Sequence, residues 1–164
     1  MDIKIKKLIC LFIGCIFSFL VIGCGNSSEN ADWDVKVIAS EMKDKLDTTT
    51  GVTQYDGSVA NVAYDNNPKD GNVYVLVNLD IKKKGEGNKT LYWKNVSLID
   101  DKGNKYNRIQ DMFLKDHGYN RMPANDLKLD NKGWIAFEVP ATLKLDNLKL
   151  VYEDDNGKSE YSIK

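Results

Sequence analysis

Cysteine is scarce in this chain of 164 residues, and all three cysteines, Cys10, Cys15 and Cys24, lie in its first 24 positions. The chain beyond Cys24 therefore has no disulfide, no thiolate metal site and no cysteine nucleophile. A domain of this length without covalent cross-links must be stabilised by its hydrophobic core.

Histidine is scarcer still, since His117 is the only one. A Ser-His-Asp triad could be built only around this residue, and the sequence lacks a Gly-x-Ser-x-Gly nucleophile elbow. One histidine with scattered carboxylates is also weak support for a metal site. Asp and Asn clusters near residues 65–70 and 154–156 do not fit a calcium-loop spacing and are ordinary turn formers. We therefore expect no enzyme activity, no metal and no cofactor.

An excess of basic charge is absent as well. The chain has 23 basic and 24 acidic side chains, and three of those lysines and one aspartate lie in residues 1–23. Beyond position 23 this leaves 20 basic and 23 acidic groups, a net charge of −3. Nucleic acid would favour a clustered basic face, so we expect no nucleic-acid partner.

Only one long apolar run is present, and it lies at the N-terminus. Residues 8–22 follow the basic Lys4, Lys6 and Lys7, and Gly23 precedes Cys24. Fifteen positions are fewer than the roughly 18 apolar residues expected of a membrane-spanning helix. The segment is typical of an export signal, although an uncleaved anchor is the alternative.

The end of this run, Val21-Ile22-Gly23-Cys24, resembles the lipobox of bacterial lipoproteins. The resemblance implies cleavage after Gly23 and diacylglyceryl modification of Cys24. A competing match ends at Cys15 but would leave an apolar core of only residues 8–14. We expect a signal peptide at residues 1–23 and a lipid anchor at Cys24 on the extracytoplasmic side of the cell membrane.

A short polar stretch follows the proposed anchor. Residues 24–32 have no hydrophobic periodicity and are typical of a flexible tether. The eight residues after Cys24 extend to at most about 28 Å, with a coil-like span nearer about 15 Å. We therefore expect the remaining chain, residues 33–164, to form one domain close to the lipid headgroups.

That domain shows strand periodicity. In residues 73–81 the odd positions are all apolar, residues 92–100 repeat the pattern around Val96 and Leu98, and residues 133–140, 148–152 and 157–163 follow it again. Turn sequences separate them, notably residues 101–104 and 155–157. The spacing predicts an all-β fold, an immunoglobulin-like antiparallel β-sandwich of roughly seven to nine strands.

The first part of the domain is less regular. Residues 35–46 fit either a helical face or a strand, and we predict a strand. Residues 47–58 are rich in Thr, Gly and Asp and predict a loop, and residues 59–64 a short strand.

The order of several segments suggests a family. Residues 33–37, 71–77, 96–106, the block Gly133-Trp134-Ile135-Ala136-Phe137-Glu138-Val139-Pro140 and residues 148–152 resemble the Ig-like domain of unknown function common in lipoproteins of Gram-positive bacteria. That family is itself similar to a small secreted mycobacterial immunogenic β-sandwich protein. The resemblance implies a fold and a location, and it carries over no catalytic residues. One departure is Asp80, where members often have Asn before a turn; here the strand is expected to continue to Lys83.

The longest irregular stretch, residues 110–126, is the candidate binding loop. It contains Asp116, His117, Tyr119 and Arg121, and sandwich domains often place recognition surfaces in end loops. The alternative is a loop folded over the sheet, with His117 exposed. Its packing contacts would then be Met112, Phe113, Leu114 and Met122.

Two tryptophans, Trp93 and Trp134, could form an outward aromatic patch that stacks on sugars. The alternative is that both are buried or covered by a second layer.

These features predict a lipid-anchored, non-catalytic binding or interaction module with a protein or small-molecule partner near the membrane. The alternative is a lipoprotein that binds a small solute or metal, which would require a concave pocket.

Overall fold

The computed structural model describes residues 32–163, without the side chains of residues 47–51, 61–65 and 112. The predicted signal peptide, its cleavage at Gly23, the lipidation of Cys24 and most of the tether lie outside this range. No helix between residues 32 and 163 is long and apolar enough to cross a bilayer.

Strands dominate the described residues. They are β1 (Trp33–Lys43), β2 (Leu46–Thr53), β3 (Val59–Asn66), β4 (Asn72–Lys83), β5 (Val96–Asp100), β6 (Lys105–Asn107), β7 (Asn131–Pro140), β8 (Leu148–Asp154) and β9 (Gly157–Ser162). Short 3₁₀ helices lie at Trp93–Asn95, Met112–Lys115 and Leu145–Asn147. The prediction that β4 continues to Lys83 is confirmed.

The strands form two sheets and a separate hairpin. The first sheet has the order β1-β4-β7, the second has the order β6-β5-β8-β9, and β2 pairs with β3. All named pairings are antiparallel. Without the hairpin, the seven remaining strands, lettered A to G in chain order, group as A-B-E and D-C-F-G. Immunoglobulin constant domains group theirs as A-B-E-D and C-F-G. The two groupings differ only in the sheet to which strand D belongs. The fold is therefore an immunoglobulin-like antiparallel β-sandwich, as the sequence predicts.

The main hydrophobic core lies between the two sheets. Because side chains alternate along a strand, the odd positions of β4 from Val73 to Ile81 point inward, and Val75, Val77 and Leu79 are at most 1% exposed. They share one cluster with Leu98 of β5 and Leu150 of β8. The predicted inward set of β7 is confirmed too, with Ile135, Phe137 and Val139 fully buried.

The outer face of the first sheet is also covered. Tyr74 and Leu76 of β4 and Ala136 of β7 are buried in a second cluster, with Leu46 and Leu114. At Tyr74 and Leu76 the outer face of β4 is therefore apolar like its inner face, which explains why Leu76 interrupts the polar residues at its even positions.

The prediction of a loop at residues 47–58 is wrong for its first part. Residues 46–53 form β2, which pairs with β3 in register from Leu46 opposite Asn66 to Thr53 opposite Val59. Threonine is a β-branched residue that favours strands, and the Gly and Asp content concealed this preference. The predicted strand at residues 59–64 is confirmed and extends to Asn66.

The two ends of the sandwich differ. Asp32 and the start of β1 lie at one end, which we call the N-terminal end; Lys83, at the end of β4, is there too because it pairs with Trp33. β1 then runs about 35 Å to Lys43, just before the β2–β3 hairpin. We call this the hairpin end. The hairpin thus begins at the end of the sandwich farther from Asp32.

Candidate functional site

The candidate loop begins where the chain changes sheets. β6 pairs with β5 of the second sheet, but the next residue, Arg108, forms a bridge with Phe137 of β7. The Ile109 amide then donates to the Ala136 carbonyl oxygen at 3.0 Å. The chain therefore closes one edge of the sandwich before the loop leaves it.

The loop returns to the same strand. The Trp134 amide donates to the Asn120 oxygen at 2.8 Å, and the Met122 amide donates to the Trp134 oxygen at 2.9 Å. Gly133 permits this close approach, because a Cβ there would lie 2.6 Å from the Asn120 carbonyl oxygen. Residues 110–119 are thus held to β7 at both ends.

Between these attachments the loop packs on the outer face of the first sheet. Leu114 is fully buried, and the Phe113 ring lies 5.3 Å from the Tyr74 ring. The Tyr119 ring meets Trp134 edge-on at 5.2 Å. Met122, just past the return, is fully buried in the core between the sheets. The alternative interpretation of a loop folded over the sheet is therefore confirmed for Phe113 and Leu114. It is wrong for Met122, which packs between the two sheets, and for His117, which is not exposed. The side chain of Met112 is not described.

The four predicted site residues have separate partners. His117 is half-buried and its Nε2 lies 2.9 Å from Nδ2 of Asn66, so it joins the loop to β3. Burial, followed by a hydrogen bond with Glu41 of β1, raises the pKa of the Tyr119 hydroxyl. Arg121 donates from Nη1 to the Met122 oxygen at 3.3 Å, and Asp116 is exposed. These contacts hold the loop in place and do not gather the four side chains around one point.

The sequence did not predict a role for Arg108, whose buried side chain makes several specific contacts in this region. Its Nε and Nη2 donate to Oδ2 of Asp111 at 3.2 and 2.7 Å, and Nη2 also donates to the Pro123 oxygen at 3.3 Å. Its guanidinium carbon lies 4.1 Å from the centroid of the Trp93 ring. Burial lowers the pKa of Arg108, and the neighbouring Asp111 partly opposes this shift. An Arg followed three positions later by an Asp is too common a pattern to have identified the pair.

An open cleft of about 490 Å³ adjoins this pair. Its walls include the aromatic Trp93, the charged Arg108 and Asp111, and the uncharged Ile109 and Gln110. The cleft thus combines an apolar wall with a guanidinium group.

The predicted aromatic patch of Trp93 and Trp134 is wrong. Trp93 is 7% exposed and belongs to the core between the sheets, and its Nε1 donates to the Asn125 oxygen at 2.9 Å. Trp134 packs with the second cluster on the other face of the first sheet. Strand alternation does not reveal which face a distant loop will cover, and here loops cover both rings.

The β2–β3 hairpin contributes a second distinctive surface. Its tip exposes Val52, Tyr55 and Val59, of which Tyr55 is fully exposed and Val59 is 67% exposed. The turn is closed by the Gln54 amide, which donates to the Ser58 oxygen at 2.7 Å. Oδ1 of Asp56 accepts from the Ser58 hydroxyl and amide at 2.6 and 2.9 Å, and these bonds lower the pKa of Asp56. The tip therefore presents apolar side chains on a well-bonded turn.

The partner of His117 is the Asn66 amide, which cannot orient an imidazole as a catalytic carboxylate does. Within residues 32–163, no group of three or more His, Cys, Asp or Glu side chains is arranged to hold a metal ion.

Comparison with known proteins gives no family. No family model matches the chain, and no curated protein matches it. Two solved structures are similar. An uncharacterised β-sandwich protein from Clostridium difficile 630 is 15% identical, with a TM-score of 0.43, over 82% of this chain and 87% of that one. A conserved hypothetical protein from Bacillus anthracis is 17% identical, with a TM-score of 0.45, over 79% of this chain and 87% of that one. Neither similarity is strong enough to carry an inference about function.

Proposed function

We propose that this protein is a lipid-anchored, non-catalytic interaction module on the extracytoplasmic side of the cytoplasmic membrane of a Gram-positive bacterium. Residues 1–23 serve as the signal peptide, Cys24 carries the acyl chains, and residues 33–164 form the binding domain. The proposal includes membership of the Ig-like lipoprotein family that the sequence resembles.

The observation that carries the interaction role is the β2–β3 hairpin. Its strands pair with each other and with neither sheet, so the sandwich does not need them to complete its hydrogen bonding. Its tip exposes three large apolar side chains to water. Burying them against a partner would be favourable, because apolar surface is then removed from water. Residues 46–66 also contain three aspartates and no lysine or arginine. A protein or wall component with an apolar spot beside basic groups would complement this surface.

The position of the hairpin fits a partner held above the membrane. A tether of at most about 28 Å followed by a β1 strand of about 35 Å would bring the hairpin end to as much as about 60 Å from the headgroups. The lipid anchor would confine the module near its partner and raise their effective concentration.

The test is site-specific photo-crosslinking in intact cells, with the crosslinker placed at Tyr55 or Val59. A matched control carries it at Lys149, an exposed residue on the second sheet. We expect the same protein or wall component to be captured from both tip positions and not from Lys149. It should also be captured less by a Cys24→Ser variant. Equal capture from all three positions, or none from the tip, would contradict the interaction role.

A second candidate, a small-solute-binding lipoprotein, is favoured by the cleft beside Arg108. Its volume of about 490 Å³ is within the range of ligand sites. The bonds to Asp111 and Pro123 use Nε and Nη2 of Arg108 and leave Nη1. A solute with a carboxylate or carbonyl oxygen and an apolar body would fit these groups. Thermal-shift screening of such solutes would detect it, with an Arg108→Lys variant as the control because lysine retains the charge but loses the planar stacking on Trp93.

A further inference from the structure

We infer that the N-terminal end of the sandwich rests on the phospholipid bilayer, with Tyr92 and Leu129 at the level of the headgroups. The inference rests on the lipid anchor of the proposed function. It adds a second contact, made by the folded domain itself, which would fix how the domain stands on the membrane.

The path of the chain brings this end to the bilayer. Asp32 lies eight residues after Cys24, and it is held against the 84–92 loop. The Lys84 amide donates to the Asp32 oxygen at 2.8 Å, and Nζ of Lys89 lies 3.4 Å from Oδ1 of Asp32. The surface beside Asp32 can therefore be no farther than about 28 Å from the acylated cysteine, and about 15 Å on average.

That surface exposes two large apolar side chains. Leu129 is 76% exposed and Tyr92 is 45% exposed. Both adjoin the bridge between Leu91 and Leu127, whose amides and oxygens pair at 2.9 and 3.0 Å. Leu91 and Leu127 are buried in the core, so the bridge fixes Tyr92 at the surface and holds the start of the segment that carries Leu129. The two side chains line one open groove of about 890 Å³.

Lysines flank these apolar groups. Nζ of Lys94 lies 5.3 Å from the centroid of the Tyr92 ring, Lys128 precedes Leu129 on the same groove, and Lys89 is close by at Asp32. Tyrosine is enriched at membrane–water interfaces. Lysine can lay its alkyl stem along apolar surface while its charge contacts phosphate. The combination matches the chemistry of a phospholipid headgroup layer.

Acidic residues at the same end limit the contribution of net charge. Asp126 accepts the Trp93 amide and Asp130 accepts the Lys83 amide, each at 2.8 Å, while Glu153, Asp154 and Asp155 line the neighbouring groove. The contact should therefore depend more on Tyr92 and Leu129 than on attraction to anionic lipid. A globular protein partner is the less suitable occupant of this surface. A 100-residue domain has a radius of gyration of about 13 Å, so its diameter is larger than the average tether span of about 15 Å.

The test attaches the domain to lipid chemically, so that it does not depend on cellular lipidation. Both hydrophobic clusters lie between Trp33 and Ile163, so the chain from Cys24 onward contains the whole core. Cys24 is its only cysteine and can be coupled to a maleimide lipid in phosphatidylcholine–phosphatidylglycerol vesicles. Hydrogen exchange, read by mass spectrometry, is then compared between the coupled and the uncoupled protein.

We expect coupling to slow exchange in residues 88–94 and 125–131 and to leave the hairpin tip, residues 52–60, unchanged. Burying a leucine side chain favours the contacting state by about tenfold, so the Tyr92→Ser/Leu129→Ser variant should lose most of the protection. The matched control, Tyr55→Ser/Val59→Ser, replaces two exposed side chains at the other end and should keep it.

Equal exchange with and without coupling would overturn the inference, as would protection centred on the hairpin tip. Protection that survives Tyr92→Ser/Leu129→Ser would overturn the role of these two residues. Each result is distinct from a failure of the proposed function, which would appear as absent acylation of Cys24 in cells.

Discussion

At the scale of single residues, the ion pair of Arg108 and Asp111 shows how burial changes the free energy that is lost when one partner of a pair is removed. Their side chains are 8% and 2% exposed, whereas Lys149 and Glu160, also paired, are 60% and 34% exposed. A buried charge that loses its partner has no water to replace it, while an exposed one does. The guanidinium also covers the Trp93 ring, so the pair connects the start of the loop to the core.

Replacing Asp111 by Ala should therefore destabilise the protein by about 3–5 kcal/mol, because Arg108 would stay buried and unpaired. Glu160→Ala is the matched control and should cost less than about 1 kcal/mol. Urea unfolding followed by circular dichroism measures both. A similar loss of unfolding free energy in the two variants would show that the buried Arg108–Asp111 pair contributes no more to stability than an exposed pair.

Gly133→Ala should destabilise the protein by about 2–3 kcal/mol, because the new Cβ would overlap backbone atoms of Asn120 and Arg121 that cannot rotate away. It should also speed hydrogen exchange at the Met122 amide, which bonds to Trp134. Gly118→Ala is the control. Its positive φ of 81° costs about 1 kcal/mol with alanine, yet open space surrounds it, and exchange at Met122 should not change. Unaltered Met122 exchange in Gly133→Ala would contradict the close-approach argument.

At the scale of elements, β1 shows why the periodicity of residues 35–46 was ambiguous. The register shifts between Val37 and Ala39, so β1 contains a bulge. Val35 and Val37 lie opposite Ile81 and Leu79, but beyond the bulge the corresponding positions are Ser40 and Met42. One extra residue changes the spacing of inward positions from two to three. Such a spacing imitates part of a helical pattern. The predicted strand is confirmed for residues 35–43, but β1 ends at Lys43 and Leu46 already belongs to β2.

The β2–β3 hairpin should be dispensable for folding. Replacing residues 47–65 with Asn-Gly would join Leu46 to Asn66, which are already paired across the hairpin, through a favoured two-residue turn. Leu46, which belongs to the second cluster, is retained. We expect cooperative unfolding with a melting temperature lowered by less than about 5 °C, together with loss of crosslinking. Loss of cooperative unfolding would instead make the hairpin part of the folded core.

At the scale of the whole molecule, the sandwich separates two surfaces. The N-terminal end presents Tyr92 and Leu129 near the start of the domain, and the hairpin tip presents Tyr55 and Val59 beyond the far end of β1. Acylation at Cys24 would direct one surface to the bilayer and the other away from it. The function proposed here therefore depends on which cysteine is acylated.

Metabolic labelling with an alkyne analogue of palmitate should label the wild-type protein and a Cys15→Ser variant equally, and a Cys24→Ser variant not at all. The reason is that Cys15 would be removed with residues 1–23, whereas Cys24 would become the acylated N-terminus. In-gel fluorescence and the mass of the N-terminal peptide report the result. Label that persists in Cys24→Ser and disappears in Cys15→Ser would move the anchor to the competing site.

The sequence by itself determined the features that local chemistry controls. The alternation of β4 and β7 predicted which side chains face the core, and turn residues marked the β5–β6 and β8–β9 connections, because both signals lie within a few neighbouring positions. They were sufficient for the fold class, whereas the anchor at Cys24 stays a prediction from the apolar run at residues 8–22.

Only the tertiary structure decided which surfaces are covered and which remain open. Arg108 meets Trp93 and Phe137, the 110–119 segment covers Tyr74, and Trp93 is buried beneath segments distant in sequence. A strand has two faces with the same period, so its sequence cannot say which one a remote loop will reach. Of the hairpin only β2 was missed, because the Gly and Asp residues among its threonines favoured a loop, whereas its pairing partner β3 lies several residues farther along the chain.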